Sequence, residues 1–443
     1  MKNFFQTFKN IWAIEDLRKR ILTTFGLLLI YRVGSYVVLP GVDSTALAAA
    51  NSAGGGGITD LLSMFTGGAF SRASIFALGI MPYISASIIM QLMGIAVPVV
   101  QKMQKEGESG RKKINQYTRF LTIVICLLQA PSYIATSVDA SAHPSGFGWM
   151  FMSVLILTTG CLFVMWLGER ITDRGIGNGI SLLIMIGIIS SLPAAFIQEL
   201  VARLDTGGLV VLLVEMVFLV VVIAATILLV QGTRKIPVQF AKRAAGGGVQ
   251  QYAGARQYIP LKVNSSGVMP IIFAQAIMFV PLYIAQATGA QGGIMVELAD
   301  FGGFWYNFVF AVMIIAFTYL YTAITVNPNQ MADDMKRNGG FIPGVKPGKK
   351  TADFIEGLLS KITLPGALFL ALVAIMPAFA MKFGIKQQFS IFFGGTSLLI
   401  MVGVVLDTLQ QIESHLLSRH YDGLMKSGKL KGRAEASTLG MAG

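Results

Sequence analysis

Charged side chains are scarce in this 443-residue chain: Asp, Glu, Lys and Arg make up 13% of it, while 54% of the residues are hydrophobic. An ordinary soluble domain carries about 25% charged residues. The mean hydropathy is +0.66. The composition therefore excludes an ordinary soluble protein and indicates a chain that crosses a membrane several times.

Cysteine and histidine are almost absent. Cys126 and Cys161 both lie inside apolar runs, which argues against a disulfide framework or a thiolate metal site. His143, His415 and His420 all lie outside these runs, so no histidine base or zinc triad can form within the membrane. We therefore predict no catalytic centre, no cofactor and no metal.

Carboxylates are equally rare inside the apolar runs. An ion-coupled transporter of a small solute remains the alternative function, but a coupling ion needs ligands, and these are usually ionisable groups inside the spans. Arg32 is the one deep charge. It either extends to the membrane surface or meets polar groups where two spans pack.

Long apolar runs are what the sequence has in abundance. A spanning helix needs about 20 such residues, and ten runs approach that length, near 21–40, 74–97, 119–138, 149–168, 176–197, 208–231, 267–287, 305–326, 362–380 and 389–407. Nearly all of the 35 Lys and Arg residues lie in alternate loops. This asymmetry predicts that both termini are cytoplasmic.

The runs divide five and five around the loop at Gln198–Gly208. An odd number of spans in each half gives the halves opposite orientations, which permits an inverted repeat with a central pathway. We predict an all-α protein of about ten transmembrane helices, with halves at 1–200 and 201–443.

A half-length apolar piece, Ile58–Phe65, lies between Gly54–Gly57 and Gly67–Gly68. It is too short to span a bilayer. Because irregular backbone at membrane depth needs a protein-lined or wet cavity, the piece predicts a re-entrant stopper that the glycines allow to swing. The alternative is a short amphipathic helix lying on the membrane surface.

Two loops, 232–264 and 327–361, are long and polar. The first has six basic residues and no acid: Arg234, Lys235, Lys242, Arg243, Arg256 and Lys262. The basic charge fits either lipid headgroups or phosphate-rich RNA. Their length favours docking of a large cytoplasmic partner, since plain connections rarely exceed about 12–15 residues.

Isoleucines recur at helical spacing, as in Ile80, Ile84 and Ile88, and in Ile180, Ile184 and Ile188. Such stripes usually pack against other helices or face lipid, and lining a pore remains the alternative. A polar edge of Ser85, Ser87 and Gln91 accompanies the first stripe, with Gln129 and Gln275 isolated on other runs. These polar groups either join helices or mark where helices part.

Two phosphate-loop lookalikes are predicted to be turns. Gly344–Thr351 (GVKPGKKT) misses the P-loop spacing by one residue, and no strand is predicted before it. Gly175–Gly179 (GIGNG) falls at the boundary of an apolar run rather than after a strand.

Longer motifs carry a resemblance to a known family. SIFALGIMPYISASIIMQ (74–91), KEGESGRKKINQYTR (105–119), GERITDRGIGNGIS (168–181), FIPGVKPG (341–348) and FGGTSLLI (393–400) resemble segments of the SecY family in matching order. The SecY family forms the central subunit of the Sec protein-conducting channel of the bacterial plasma membrane. The likeness extends over essentially the whole chain.

The resemblance implies an hourglass channel with three working parts. The plug falls on Ile58, Thr59, Asp60, Leu61, Leu62, Ser63, Met64, Phe65 and Thr66. A hydrophobic pore ring falls on Ile80, Ile84, Ile184, Ile272 and Ile400. A lateral gate between spans two and three and spans seven and eight falls on Ser87, Gln91, Gln129 and Gln275.

The resemblance also implies partners. The ribosome and the SecA motor would dock on Arg234, Lys235, Lys242, Arg243, Arg256, Lys346, Lys349 and Lys350. SecE and SecG subunits, signal peptides, nascent polypeptides and membrane lipid complete the set. Two departures affect docking: Lys346 stands where the family usually has Arg, and 244–255 lacks the paired arginines of many bacterial relatives.

Overall fold

The computed structural model describes residues 12, 14–47, 63–138, 142–144, 146–205, 208–240, 257–288, 297–298 and 302–426. In chain order these residues form α1 (Glu15–Gly34), α2 (Met81–Ala96), α3 (Pro98–Lys105), α4 (Glu108–Ser137), α5 (Phe147–Arg174), α6 (Gly179–Asp205), α7 (Leu209–Gln231), β1 (Thr233–Phe240), β2 (Gln257–Lys262), α8 (Met269–Thr288), α9 (Phe304–Thr325), α10 (Pro328–Arg337), β3 (Gly340–Phe341), α11 (Lys349–Lys382), α12 (Gln387–Ser390), a 3₁₀ turn (Ile391–Phe393) and α13 (Gly395–Lys426).

The predicted helical membrane fold is confirmed. Each of the ten predicted apolar runs overlaps one long helix of the described chain. Seven described helices are long and apolar enough to cross a membrane, and the sharply bent pair α2 and α3 makes an eighth if it counts as one span. The number of ten spans stays a prediction.

The run at 74–97 is helical only from Met81, later than the sequence predicts. Residues 74–80 form turns, and Ser74 pairs with Val38 in an isolated bridge. Pro82 stands in the first turn of α2, where its missing N–H costs nothing. Gly79, with φ of 54°, supplies a backbone angle that favours glycine just before the helix. The second span therefore begins inside the protein.

The two long basic loops contain a small antiparallel sheet in the order β2–β1–β3. Ile236, Val238 and Leu261 bury one face of it against α10 and α11. These segments were predicted only as loops, because they are long and rich in basic and polar residues. It was also wrong that no strand precedes GVKPGKKT, since β3 does; β3 pairs antiparallel with β1 and leads into a turn.

Helix packing divides the chain at α6 and α7. In the first part α2 packs on α4, α4 on α5, and α1 on α5 and α6; in the second, α8 packs on α9, α9 on α11, and α7 on α13. The packing of α6 against α7 and α13 joins the two parts. One large apolar cluster runs through both.

Candidate functional site

A cavity of about 370 Å³ lies between helices of the two parts. Helices α2, α4 and α6 supply one side of it, and α8 and α13 supply the other. The lining is apolar apart from a few hydroxyl and amide groups: Phe65, Thr66, Phe70, Ala77, Leu78, Met81, Ile84, Ser85, Ile88, Ile89, Leu92, Gln129, Ile184, Ile272, Gln275, Ala276, Ile277, Thr396 and Ile400. A space with this lining suits an apolar molecule, or one bound without specific polar contacts, better than it suits an ion.

Four of the five predicted ring isoleucines line this cavity: Ile84, Ile184, Ile272 and Ile400. They come from α2, α6, α8 and α13, which are far apart in sequence. Ile80, at the residue before α2, lies outside the lining but in the same apolar cluster as Ile184 and Ile400. The structure therefore brings four of the five predicted ring residues around one space.

The end of the predicted plug lies against the same cavity. Ser63–Phe65 is helical and Thr66 begins a turn. Met64, Phe65 and Thr66 are buried, and the last two line the cavity. The Ser397 hydroxyl of α13 donates a hydrogen bond to the Met64 sulfur, with Oγ and Sδ 3.8 Å apart. The remaining predicted plug residues, Ile58, Thr59, Asp60, Leu61 and Leu62, lie outside the described part of the chain.

The segment just after the predicted plug accepts hydrogen bonds from two helices, α4 and α1. The Tyr133 hydroxyl of α4 donates to the Phe70 carbonyl at 2.6 Å. Arg32 at the end of α1 donates to the Gly67 carbonyl at 2.7 Å. Arg32 therefore meets polar groups inside the protein, one of the two alternatives that its sequence position left open.

Of the predicted gate residues, Ser87 and Gln91 lie on α2, Gln129 lies on α4 and Gln275 lies on α8. Gln129 and Gln275 line the central cavity. The Gln275 amide donates to the Tyr306 hydroxyl at 3.4 Å, a bond between α8 and α9. Gln91 donates to Ser87 Oγ, one turn back on α2, at 3.4 Å.

Gln91 also faces a narrow gap between α2 and the pair α8 and α9. With Leu92 on α2 it lines this gap opposite aromatic side chains that include Phe273 and Tyr321. The contact between these helices is consequently made mainly of apolar and aromatic groups.

The predicted docking residues that the structure describes are exposed. Arg234 and Lys235 project from β1, and Lys346, Lys349 and Lys350 follow β3. Because β1 and β3 are neighbours, the sheet brings the two basic loops to one surface. Lys242, Arg243 and Arg256 lie outside the described residues.

The sequence analysis did not assign several residues that line the cavity. Ile88 follows Ile84 by one turn, and Thr396 precedes Ile400 by one turn. Helical spacing from an assigned ring residue could have found both. Nothing in the spacing singles out Leu92 or Ala276.

The phosphate-loop lookalike at Gly175–Gly179 is a turn between α5 and α6 that also forms hydrogen bonds to α1 and α13. The Asn178 side chain accepts from the backbone N–H of Ile180 at 3.1 Å, at the start of α6. The Gly177 N–H donates to Gln411 Oε1 of α13 at 2.8 Å. Gly175 accepts from Arg20 of α1 at 3.3 Å. Within the described residues, no group of three or more His, Cys, Asp or Glu side chains is placed to hold a metal.

These features define the class: a helical multi-span membrane protein whose central apolar cavity lies between two helix groups, with the end of a short segment buried beside it. The SecY family model matches residues 74–409, and the chain belongs to the SecY family.

Proteins from Mycobacterium and Streptomyces resemble the chain over nearly its full length. The protein translocase subunit SecY of Mycobacterium bovis is 41% identical over 436 residues, covering 93% of this chain and 97% of the relative. The protein translocase subunit SecY of Streptomyces scabiei is 40% identical over 438 residues, covering 95% and 99%.

Solved channels share the fold. A protein-conducting channel structure aligns with a TM-score of 0.64 at 18% identity, covering 90% of this chain and 92% of its own. A structure described as showing that the SecY plug domain stabilises the closed channel and maintains a membrane seal gives 0.61 at the same identity and coverages. Sec61 in a canine ribosome–channel complex from the endoplasmic reticulum gives 0.60, again at the same identity and coverages.

Proposed function

We propose that this chain is the protein-conducting channel subunit of a Sec translocase. It moves unfolded secretory polypeptides across the plasma membrane and releases membrane-protein segments sideways into lipid. The observation that carries the proposal is the central apolar cavity, where four isoleucines from four helices meet the end of the inserted segment. The chain has no catalytic role of its own, and any ATP hydrolysis comes from a partner.

Ile80, Ile84, Ile184, Ile272 and Ile400 act as the pore ring. Aliphatic side chains repel water from a narrow constriction, so the resting pore is closed to ions. Because they make no directional bonds, they can also fit around substrates of many sequences. A ring of this kind needs no substrate-specific site.

Ile58–Thr66 acts as the plug, and α2 together with α8 and α9 forms the lateral gate. Burial of Met64, Phe65 and Thr66 beside the cavity supports the first assignment. The apolar and aromatic gap at Gln91 and Leu92 supports the second. Contacts of this kind separate without breaking ion pairs, and parting exposes an apolar segment to lipid.

The basic surface of the sheet is the docking site for the ribosome and for the SecA motor. Arg234, Lys235, Lys346, Lys349 and Lys350 are exposed there, and Lys242, Arg243 and Arg256 belong to the same loops. Basic side chains without acids bind phosphate-rich RNA through counter-ion release. Sec61, a relative in fold, has been described in complex with a ribosome. SecE and SecG are the further membrane subunits.

The halves 1–200 and 201–443 are two inverted five-helix units, and both termini lie in the cytoplasm. The five-and-five division of the apolar runs and the basic alternate loops support this arrangement. In a bacterium the membrane concerned is the inner, or plasma, membrane.

The ring is tested by replacing two of its isoleucines with serine, which lets water enter the constriction. We expect the double change Ile184→Ser and Ile400→Ser to raise the resting ion conductance of the full-length chain, purified with its partner subunits, in planar bilayers. Hydroxyl groups at the constriction lower the cost of filling it with water. Single-channel recording measures the effect.

The matched control is Ile188→Ser, one turn along α6 from Ile184. Ile188 is fully buried but does not line the cavity. Both changes should lower the free energy of unfolding by roughly 1–3 kcal/mol per site, and only the cavity pair should leak. Ring variants that lose stability yet stay electrically silent would refute the ring.

An ion-coupled transporter makes the opposite prediction about substrate. It would bind a small solute in an ion-dependent way, whereas the channel would trap a stalled polypeptide that crosslinks to Ile84 or Ile272 positions. The apolar lining of the cavity favours the channel.

A further inference from the structure

Arg32 forms a hydrogen bond to the residue that directly follows the predicted plug, a contact that the sequence did not reveal. Its Nη1 donates to the Gly67 carbonyl at 2.7 Å, and its Nη2 donates to the Tyr36 hydroxyl at 2.8 Å. Gly67 is the first residue after the predicted plug. A single guanidinium therefore joins α1 to the segment on which the plug turns.

The same point is packed tightly from the other side. A Cβ atom on Gly67 would lie 2.7 Å from Arg32 Nη1, 2.8 Å from Ser190 Oγ and 3.2 Å from the Gly187 Cα. Gly67 also has φ of 65°, a conformation that favours glycine. The backbone at Gly67 is thus clamped between α1 and α6.

The partners that Arg32 has among the described residues are uncharged. None of the ion pairs within the described residues involves it. Its guanidinium lies 4.8 Å from the centre of the Tyr36 ring, and the Arg72 guanidinium lies 4.4 Å from the same ring. A charged donor makes a strong bond to a carbonyl, because charge-assisted hydrogen bonds are stronger than neutral ones.

We infer that Arg32 is a positioning residue that latches the plug in the resting channel, an inference that rests on the proposed function. The latch is the Arg32–Gly67 hydrogen bond. Opening the channel requires this bond to break, and the planar guanidinium keeps its second donor on Tyr36 so that the first stays aimed at the same carbonyl. The bond consequently adds to the energy that a substrate must supply.

A purely structural reading assigns Arg32 to the last turn of α1, where a cation favours the helix dipole. Variants at Arg32 and Tyr36 distinguish a latch from a cation that only stabilises the helix end. Arg32→Met removes both the charge and the latch. Arg32→Lys keeps the charge at the helix end but cannot hold both acceptors in the same geometry. Tyr36→Phe removes the second acceptor and leaves the bond to Gly67.

The experiment measures resting conductance in planar bilayers for the channel with its partner subunits. We expect Arg32→Met to raise the open fraction by about tenfold or more, which corresponds to about 1.4 kcal/mol. Arg32→Lys and Tyr36→Phe should each give an intermediate value, the second because it keeps the charge and the bond to Gly67 but loses the contact that aims this bond. Full recovery in Arg32→Lys, or an Arg32→Met channel that is less heat-stable but silent, would overturn the latch.

A second measurement separates the latch from the plug itself. Cysteines at Met64 and Ser397, joined by a short thiol crosslinker, report whether the plug is seated. In the channel with Arg32 intact, the yield should be high at rest and fall during translocation; a constant yield would refute the plug. If the yield does fall, but Arg32→Met leaves the resting yield unchanged, the plug stands and the latch is refuted.

Discussion

At the scale of single residues, the end of the predicted plug lies in close backbone contact with α6. Gly187 of α6 lies so near the plug that a Cβ there would collide with the Phe65 carbonyl oxygen. The same Cβ would be 3.2 Å from the Gly67 nitrogen. A side chain of any size at Gly187 therefore needs the plug backbone to move.

We expect Gly187→Ala to unseat the plug. The methyl group should push Phe65 from α6, raise the resting conductance and lower the yield of a Met64–Ser397 crosslink. Overpacking of this kind costs about 1–3 kcal/mol of stability. Conductance and crosslinking measured on the same preparation give the result.

Gly357→Ala is the matched control, because a Cβ at Gly357 of α11 meets nothing within 4 Å. Alanine in a helix is about 1 kcal/mol better than glycine, so this change should leave the channel closed and slightly more stable. If the two variants behaved alike, close approach at Gly187 would have no part in seating the plug.

At the scale of elements, α2 meets the pair α8 and α9 across the boundary between the two parts of the chain. Between α2 and the pair lies a small gap of about 10 Å³ lined by Leu92 and Phe273 among others. By contrast, α9 and α11 pack side by side within one part, with Ala311 and Ile375 lining a cavity between them. Only the first contact must open if a segment leaves sideways.

We expect a short crosslink between cysteines at Leu92 and Phe273 to block the release of membrane segments. The link holds α2 to α8, so an apolar segment in the cavity cannot reach lipid. Integration of a model membrane protein into vesicles, with and without a cleavable crosslinker, measures the block. Cleavage should restore integration.

A crosslink between cysteines at Ala311 and Ile375 supplies the comparison, since it ties two helices of the same part. Integration should continue with this link in place. Equal inhibition by both links would mean that the block reflects general rigidity, and the gate would then lie elsewhere.

At the scale of the whole molecule, a buried charge cluster joins the two parts at the end opposite the sheet. Arg203 of α6 pairs with Glu199 at 2.9 Å and with Glu215 of α7 at 2.6 Å. Glu215 lies inside the apolar run 208–231, so the expectation that Arg32 is the one deep charge was wrong. Arg203 also donates to the Gly384 carbonyl at 3.0 Å, and the Lys386 N–H donates to Glu199 at 3.0 Å. The Glu199 side chain is 1% exposed and that of Glu215 is 7% exposed.

We expect Arg203→Met to destabilise the protein by about 3–5 kcal/mol, because it leaves two carboxylates buried without their cation. Thermal unfolding in detergent measures the loss. Lys19→Met is the control: the Lys19–Glu15 pair on α1 is exposed, with both side chains 69% accessible, and its removal should have no measurable effect. A small loss at Arg203 would show that the carboxylates find water or protons instead.

Much of this architecture can be read from the sequence because it depends on local properties. A run of about 20 apolar residues must form a helix in lipid, since no water is there to satisfy its backbone. Ile58–Phe65 is too short for that, and its length alone separates it from the spans. The chain-long motif resemblance supplied the predicted ring, because no spacing rule connects isoleucines on four different spans.

Tertiary structure decided which distant residues touch. The meeting of Ile84, Ile184, Ile272 and Ile400, the pairing of β3 with β1 and the bond from Arg32 to Gly67 each join segments separated by tens to hundreds of residues. Hydropathy and periodicity describe one segment at a time and carry no information on which helix faces meet. The start of α2 at Met81 is another example: residues 74–80 are apolar enough to continue the span, but Ser74 pairs with the distant Val38 and residues 75–80 form turns.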